Sequence, residues 1–120
     1  MSNLGKTEWI IPDGFMSDTE SGNYVSHEAV CVLNLNNECA EVEISIYFED
    51  REPLAGFVTT CDAKRCHHVR LDKLENKDGV KIPREVPYAI YVKSNIPVVC
   101  QHSRMDVSDP KMTLMTTIAY

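Results

Sequence analysis

Apolar and polar residues alternate along much of the chain with the two-residue period of β-strands, most clearly at residues 40–49. One face of this segment carries Val42, Ile44, Ile46 and Phe48, and the other carries Glu41, Glu43, Ser45, Tyr47 and Glu49. This pattern predicts an antiparallel strand with one buried face. Residues 28–35 are almost continuously apolar, which predicts a strand covered on both faces. The turn-forming residues 36–38 between the two segments predict a β-hairpin.

Other short segments with apolar or alternating residues predict further strands. They lie at residues 8–11, 57–60, 65–71, 88–92, 98–106 and 113–119. Pro12-Asp13-Gly14 is expected to end the first of these strands, residues 94–97 to separate the fourth from the fifth, and residues 108–110 to form the last turn. The polar residues at 16–25 predict a mobile loop. About eight short strands with no amphipathic helix favour an all-β sandwich or barrel.

The composition narrows the class of protein. A chain of 120 residues predicts a single domain over residues 1–120. The net charge of -6, without a cluster of Lys and Arg, makes nucleic acid an unfavoured partner. The amino terminus has no apolar signal-peptide core and no apolar segment is long enough to span a membrane, so we expect a cytoplasmic protein. Five cysteines without a C-x-x-C pair fit reduced thiols.

The segment 87–106 concentrates the candidate chemistry. It begins apolar and ends in polar side chains, namely Gln101, His102, Ser103, Arg104 and Asp106. A strand that carries polar groups out of the core can support a binding site on a rigid scaffold. The alternative is a core strand with a solvated end, in which Arg104 and Asp106 form an intersubunit ion pair and His27 and Glu28 a strand-end hydrogen bond. Both interpretations remain open on these residues alone.

Enzymatic chemistry has weaker support. A metal-assisted hydrolase or isomerase using His27, His68 and His102 is possible, but the histidines have no known ligand spacing and the chain lacks H-E-x-x-H. Neither a G-x-S-x-G elbow nor a phosphate-binding glycine loop is present. Tyr47, with Trp9 and Tyr24, could line a pocket for a sugar-like ligand, and the alternative for each of these residues is packing in the core or at a subunit contact. We therefore predict a non-enzymatic protein with no metal and no cofactor.

Several ordered motifs extend over nearly the whole chain. They are Trp9 with Pro12-x-Gly14; Ser26-His27-Glu28-x-x-Cys31-x-Leu33-Asn34; Val42-x-Ile44-x-Ile46-Tyr47; Glu52-Pro53; Arg65-x-x-His68-Val69-Arg70; Ser94-Asn95-x-Pro97-Val98-Val99-x-Gln101-His102-x-Arg104-x-Asp106; and Thr117-Ile118-Ala119-Tyr120. With these motifs the chain resembles the Anabaena sensory rhodopsin transducer family. The resemblance implies a cytoplasmic, jelly-roll-like antiparallel β-sandwich that forms a homotetramer. It also implies a role in carrying the signal of a membrane photoreceptor, on a fold similar to sugar-binding sandwiches.

Together these observations predict a non-enzymatic signalling and binding module with a small polar, carbohydrate-like ligand, a receptor partner, or both. The predicted polar lining consists of Ser26, His27, Glu28, Arg65, His68, Arg70, Asn95, Gln101, Arg104 and Asp106. This prediction assumes that the polar ends of three strands, at 26–28, 65–70 and 101–106, meet on one rim. A second hypothesis is docking by protein contact alone, in which the acidic chain meets basic cytoplasmic loops of a membrane receptor.

Overall fold

The computed structural model describes residues 4–18, 20–21, 24–107 and 113–120, which form nine β-strands and no helix. The strands are β1 (Lys6–Gly14), β2 (Glu20–Ser21), β3 (Tyr24–Val25), β4 (His27–Asn34), β5 (Ala40–Phe48), β6 (Leu54–Cys61), β7 (Arg65–Arg70), β8 (Tyr88–Asp106) and β9 (Thr113–Ile118). Every named pair is antiparallel, which confirms the predicted all-β, antiparallel fold class. Within these ranges nothing helical is long and apolar enough to cross a membrane.

β8 organises the fold, because it runs through a seven-stranded sheet and belongs to both of its halves. The first half of β8 pairs with β5 on one edge and β1 on the other, and β6 lies beyond β5. The second half of β8 pairs with β4 on one edge and β9 on the other, and β7 lies beyond β4. We call β6-β5-β8-β1 the first half-sheet and β7-β4-β8-β9 the second half-sheet.

The predicted break at residues 94–97 is wrong, because β8 is continuous over 19 residues. The pairing with β5 ends at Ser94, and the pairing with β4 begins at Val99. Pro97 falls between the two ladders, so its missing N–H removes no ladder hydrogen bond. The side chain of Asn95 supplies an additional bond there, since its Oδ1 accepts from the backbone N–H of Glu41 at 2.7 Å.

The predicted hairpin between β4 and β5 is also wrong. Both strands pair with the same edge of β8, one after the other, and the chain bends between them instead of folding back. The buried Asn34 stabilises this corner. Its Nδ2 donates to the carbonyls of Glu38 at 2.8 Å and Cys61 at 2.9 Å, and its Oδ1 accepts from the backbone N–H of Asn36 at 3.0 Å. A strand as long as β8 makes this arrangement possible.

The amino-terminal predictions need two corrections. β1 continues through Pro12 to Gly14 instead of ending before them. The predicted mobile loop at 16–25 begins with Met16 and Ser17, which are buried, and includes the short β2–β3 pair. Residues 19, 22 and 23 of that segment, and the turn predicted at 108–110, lie outside the described residues.

The inner faces of both half-sheets form one apolar core. The alternation predicted for β5 is confirmed, since Val42, Ile44 and Ile46 are almost completely buried. β4 was predicted to be covered on both faces, but its outward-facing Leu33 is 40% exposed. On β4, therefore, only the inner side carries the continuous core. The outer sides of the sheet remain available for contacts.

Candidate functional site

A buried carboxylate, that of Glu28 on β4, lies at the centre of the polar interior. Its Oε2 accepts from Arg104 Nε at 2.7 Å and from the backbone N–H of Phe15 at 2.8 Å. Its Oε1 accepts from the hydroxyl of Tyr88 at 2.5 Å. Glu28 is 0% exposed, and its register partner on β8 is Arg104. We call Glu28, Tyr88, His102 and Arg104 the Glu28 centre.

His102 completes this centre without a hydrogen bond of its own at Nε2. Its ring is 1% exposed, and Nε2 lies 3.2 Å from Glu28 Oε1, within ion-pair distance. Among the described residues, Nε2 has no hydrogen-bond partner. A buried polar ring this close to a carboxylate interacts with it through charge and polarity.

The electrostatics of the centre keep Glu28 ionised. Burial raises the pKa of Glu28, but the His102 ring, the Phe15 amide and the Tyr88 hydroxyl outweigh burial, and the net pKa is lowered. Burial and the charge of Glu28 raise the pKa of Tyr88. Burial lowers the pKa of Arg104, but the bond to Glu28 more than reverses this. Glu28 is thus an ionised carboxylate already occupied by three donors, which suits a structural role better than proton transfer.

Local sequence features explain how these side chains meet. Glu28 and Arg104 lie at even-numbered positions of their strands, which point inward. Gly14 makes room for Tyr88, because a Cβ at Gly14 would lie 2.3 Å from Tyr88 Cε1. Arg104 also reaches towards the surface, where its guanidinium lies 3.3 Å from the carbonyl of Asp13 and 3.6 Å from its carboxylate. The centre therefore connects the core to the end of β1.

A second polar network lies near the start of β4. Arg70 makes two bonds to Asp72, at 2.8 and 2.9 Å. Arg84 donates to the carbonyls of Ser26 at 2.7 Å and Ser17 at 2.8 Å, and it approaches Asp72 at 3.9 Å. Burial raises the pKa of Asp72, but its bonds with Arg70 lower it overall. These contacts tie the connections on either side of β2 and β3 to the sheet.

Two open pockets flank Pro12 and Asp13. The first, of about 430 Å³, is lined by Pro12, Asp13, Tyr47, Phe48, Glu49, Pro87, Tyr88 and Ala89. The second, of about 440 Å³, is lined by Ile11, Pro12, Asp13, His102, Met115, Thr117, Ile118 and Tyr120. Each pocket thus contains one member of the Glu28 centre, Tyr88 in the first and His102 in the second.

The ten predicted site residues do not converge on one rim. Glu28 and Arg104 meet on the inner side. Ser26 precedes β4, where its Oγ accepts from the backbone N–H of Val107 at 2.9 Å, and Asp106 is the last residue of β8.

The other six predicted residues lie elsewhere. His27, His68, Arg70 and Gln101 occupy outward-facing positions of the second half-sheet. Arg65 is at the opposite end of β7 from Arg70, and Asn95 is next to β5. The assumption of one common rim failed because consecutive strand residues point to opposite faces. Arg65 and Asn95 are in addition far from the others along their strands.

The three histidines of the metal hypothesis are also separated. His27 pairs with Met105 on β8 and His68 pairs with Cys31 on β4. These positions are four residues apart along β4, or roughly 13 Å at about 3.3 Å per residue. His102 points to the opposite face of the sheet. In the part of the chain that the structure describes, no group of three His, Cys, Asp or Glu side chains is arranged to hold a metal ion.

Sequence reasoning missed Tyr88 and Asp13, although both belong to the surroundings of Glu28. Tyr88 was assigned to an apolar strand and Asp13 to a turn. One signal could have indicated them. An acid such as Glu28 inside an apolar run needs several hydrogen-bond donors when buried, and a tyrosine hydroxyl can supply one of these.

Comparisons with known proteins agree with this architecture. The family model "Anabaena sensory rhodopsin transducer" matches residues 4–120. A Thermotoga maritima structure, "Crystal Structure of Thermotoga maritima 1070", is 40% identical, with a TM-score of 0.87 over 97% of this chain and 94% of that chain. The solved "Anabaena sensory rhodopsin transducer" is 38% identical, with a TM-score of 0.76 over 85% of this chain and 99% of that chain. No curated protein matches the chain. The family match and the two related structures show that this chain belongs to the Anabaena sensory rhodopsin transducer family.

Proposed function

We propose that the protein is a non-enzymatic, homotetrameric signalling module of the cytoplasm that docks on a membrane receptor. Family membership supports this proposal, because one relative is named as the transducer of a sensory rhodopsin. The state of Glu28 supports it too, since an ionised carboxylate occupied by three donors is not placed to act as a base. The receptor would be a membrane photoreceptor or another receptor with a basic cytoplasmic segment.

The observation that carries the proposal is the acidic outer face of the first half-sheet. Glu8 on β1 and Glu43 on β5 lie on either side of Lys93 on β8, and Glu41 follows on the same face of β5. This part of the face thus carries three carboxylates and one ammonium group, and its net charge is negative. The hydroxyl of Tyr91, on the same face, donates to Glu8. We call this surface the acidic face.

An acidic sheet face suits a partner with clustered Lys and Arg. Cytoplasmic loops of membrane proteins carry an excess of these residues, so opposite charges would steer the encounter. Exposed charge pairs are screened by salt. Docking by this face should therefore weaken as the ionic strength rises.

The test uses Anabaena sensory rhodopsin held in nanodiscs as the probe. We expect binding that weakens between about 50 mM and about 300 mM salt. Glu43→Lys should weaken it by about tenfold, because it reverses a charge at the centre of the acidic face. Asp78→Lys, an equal charge change at an exposed site outside that face, is the matched control. An affinity that changes neither with salt nor in Glu43→Lys would contradict docking by this face.

The first pocket favours a second candidate function, the binding of a small polar, carbohydrate-like ligand. Tyr47 is 46% exposed, and Asp13 and Glu49 line the same pocket. Aromatic rings stack on sugars and carboxylates accept hydrogen bonds from hydroxyls. Glu28 and Arg104 would support this pocket indirectly, through Tyr88 and Asp13. The other eight residues of the predicted lining lie outside it.

A thermal-shift screen with neutral sugars tests this candidate, since a ligand of the native state raises the melting temperature. Tyr47→Leu should remove the shift, because the stacking surface is lost. Tyr24→Leu replaces an exposed tyrosine outside the pocket and should retain the shift. An equal loss in both variants, or no shift with any sugar, would refute a sugar site at Tyr47.

A further inference from the structure

We propose that the outer face of the second half-sheet is the surface through which two copies of this chain associate. We call this surface the neutral face. It consists of the outward-facing residues 27, 29, 31 and 33 of β4, 66, 68 and 70 of β7, 99, 101, 103 and 105 of β8, and 114, 116 and 118 of β9. This inference rests on the homo-oligomer in the proposed function and names the contact surface. It does not depend on the receptor or on the ligand.

The neutral face carries almost no charge. Arg70 is its one Asp, Glu, Lys or Arg, and its guanidinium is already bonded to Asp72 at 2.8 Å. By contrast, 25% of all residues in the chain are charged, and the acidic face of the other half-sheet includes Glu8, Glu43 and Lys93. Depletion of charged residues marks the centres of protein interfaces, whereas solvated sheet faces normally carry charges.

Exposed apolar side chains occupy the same surface. Leu114 and Ile118 on β9 are 76% and 79% exposed, and Leu33 on β4 is 40% exposed. A shallow pocket of about 230 Å³ lies on the β4, β7 and β8 part of the face. It is lined by residues that include Cys31, Leu33, Cys66, His68, Val99 and Gln101. A protruding apolar side chain such as Ile118 of a second copy has a suitable size and polarity for this pocket.

Charge determines which occupant fits. The chain has a net charge of -6, so two copies repel each other unless they meet where carboxylates are absent. The acidic face would place Glu8, Glu41 and Glu43 against their own copies. Apart from Arg70, which is paired with Asp72, the neutral face brings only apolar and uncharged polar groups together, and one surface meets itself in a two-fold contact. A basic or acidic partner would find no opposite charge on it apart from Arg70, which is paired.

The mass of the full-length protein in solution provides the test, by light scattering after gel filtration. Ile118→Lys places a charge in the proposed contact and should lower the mass of the assembly. Val58→Lys is the matched control, because Val58 is also an exposed β-branched residue of an outer strand, 64% exposed, but on the other half-sheet. Both side chains are exposed in the single chain, so neither change should unfold it.

A thiol measurement gives a second readout. Cys66 lies on the neutral face and Cys39 lies outside it, and both are exposed in the single chain. Alkylation of Cys66 should be slow in the wild-type assembly and at least about tenfold faster in Ile118→Lys, whereas Cys39 should react at the same rate in both proteins.

Three results would overturn the proposal. One is an unchanged mass in Ile118→Lys, another is an equal loss of mass in Val58→Lys, and the third is a wild type that is monomeric at high concentration. A monomeric wild type would leave the neutral face to a different partner. Receptor binding through the acidic face is tested separately, by the affinity of Glu43→Lys for the receptor.

Discussion

Arg104 and Glu28 stand directly opposite each other on neighbouring strands, and the guanidinium Nε donates to the carboxylate Oε2 over 2.7 Å. The side chain of Glu28 has no exposed area, whereas that of Arg104 retains 18%. One end of this pair is therefore in the core, and the other reaches Asp13 at the rim of both pockets. The pair couples the stability of the fold to the shape of the candidate site.

Replacement of Arg104 by Ala should destabilise the protein by about 3 kcal/mol, because it leaves the ionised Glu28 buried without its cation. Urea denaturation near neutral pH measures this change. Arg51→Ala is the control, since Arg51 pairs with Asp50 in an exposed ion pair and its loss should have no measurable effect. Equal stability of wild type and Arg104→Ala would show that the buried pair contributes little. Arg104→Ala is for the same reason a poor probe of ligand binding.

Acid should remove part of the stability that Glu28 provides. The pKa of Glu28 is lowered from its ordinary 4.5, because the His102 ring, the Phe15 amide and Tyr88 outweigh the effect of burial. A group with a lowered pKa stabilises the fold above its ordinary value and loses that contribution as the pH falls through its folded value. The free energy of unfolding should therefore decrease below pH 4.5.

The Glu28→Gln variant should show a shallower decrease over this acidic range, because it cannot gain the proton. Denaturation curves from about pH 7 to about pH 3 measure the slope. Glu43→Gln, at an exposed position of β5, should follow the wild type. If Glu28→Gln kept the full wild-type slope, another group would have to be responsible.

A methyl group at position 14 should displace Tyr88. In Gly14→Ala the new Cβ would lie 2.3 Å from Tyr88 Cε1, so the ring must move away from Glu28. We expect a loss of about 2 kcal/mol in the free energy of unfolding. In a Tyr88→Leu background the same change should cost much less, since the ring is absent. Additive effects of the two changes would argue against this steric coupling.

The corner between β4 and β5 should depend on the amide of Asn34. Asn34→Asp replaces a donor to the carbonyls of Glu38 and Cys61 with a buried carboxylate that faces them. The cost should be about 3 kcal/mol, measured by chemical denaturation. Asn37→Asp makes the same chemical change at an exposed position of the neighbouring turn and should be nearly neutral. A small effect at Asn34 would mean that the corner is held by other contacts.

Local sequence patterns predict a strand correctly where the property that decides it is also local. The alternation at 40–49 placed β5 correctly, because the side-chain period of a strand is a local property. Glu28 was a candidate as one of the polar residues at the start of β4, but its partner Arg104 is 76 residues away in the chain. Several arginines could have filled that role by chemistry alone. The choice among them depended on which strands pair.

Face assignments failed where two adjacent residues were treated as one site. His27 and Glu28 were grouped together, as were residues 101–106, although neighbours on a strand point apart. The structure divides them between the Glu28 centre and the neutral face. Applying the period of two to each candidate, and not only to the core, would have separated these groups.

The sequence by itself determined the strand content, the inward positions of β5 and the family of the protein. These follow from short-range alternation and from motifs that are read directly along the chain. Only the tertiary structure decided that β8 runs unbroken through both half-sheets, that β4 and β5 follow each other along one edge of it, and that Tyr88 and Arg104 meet Glu28. Strand pairing is a long-range choice among chemically similar edges, and the free energies of the whole core and of its buried polar groups select one pairing.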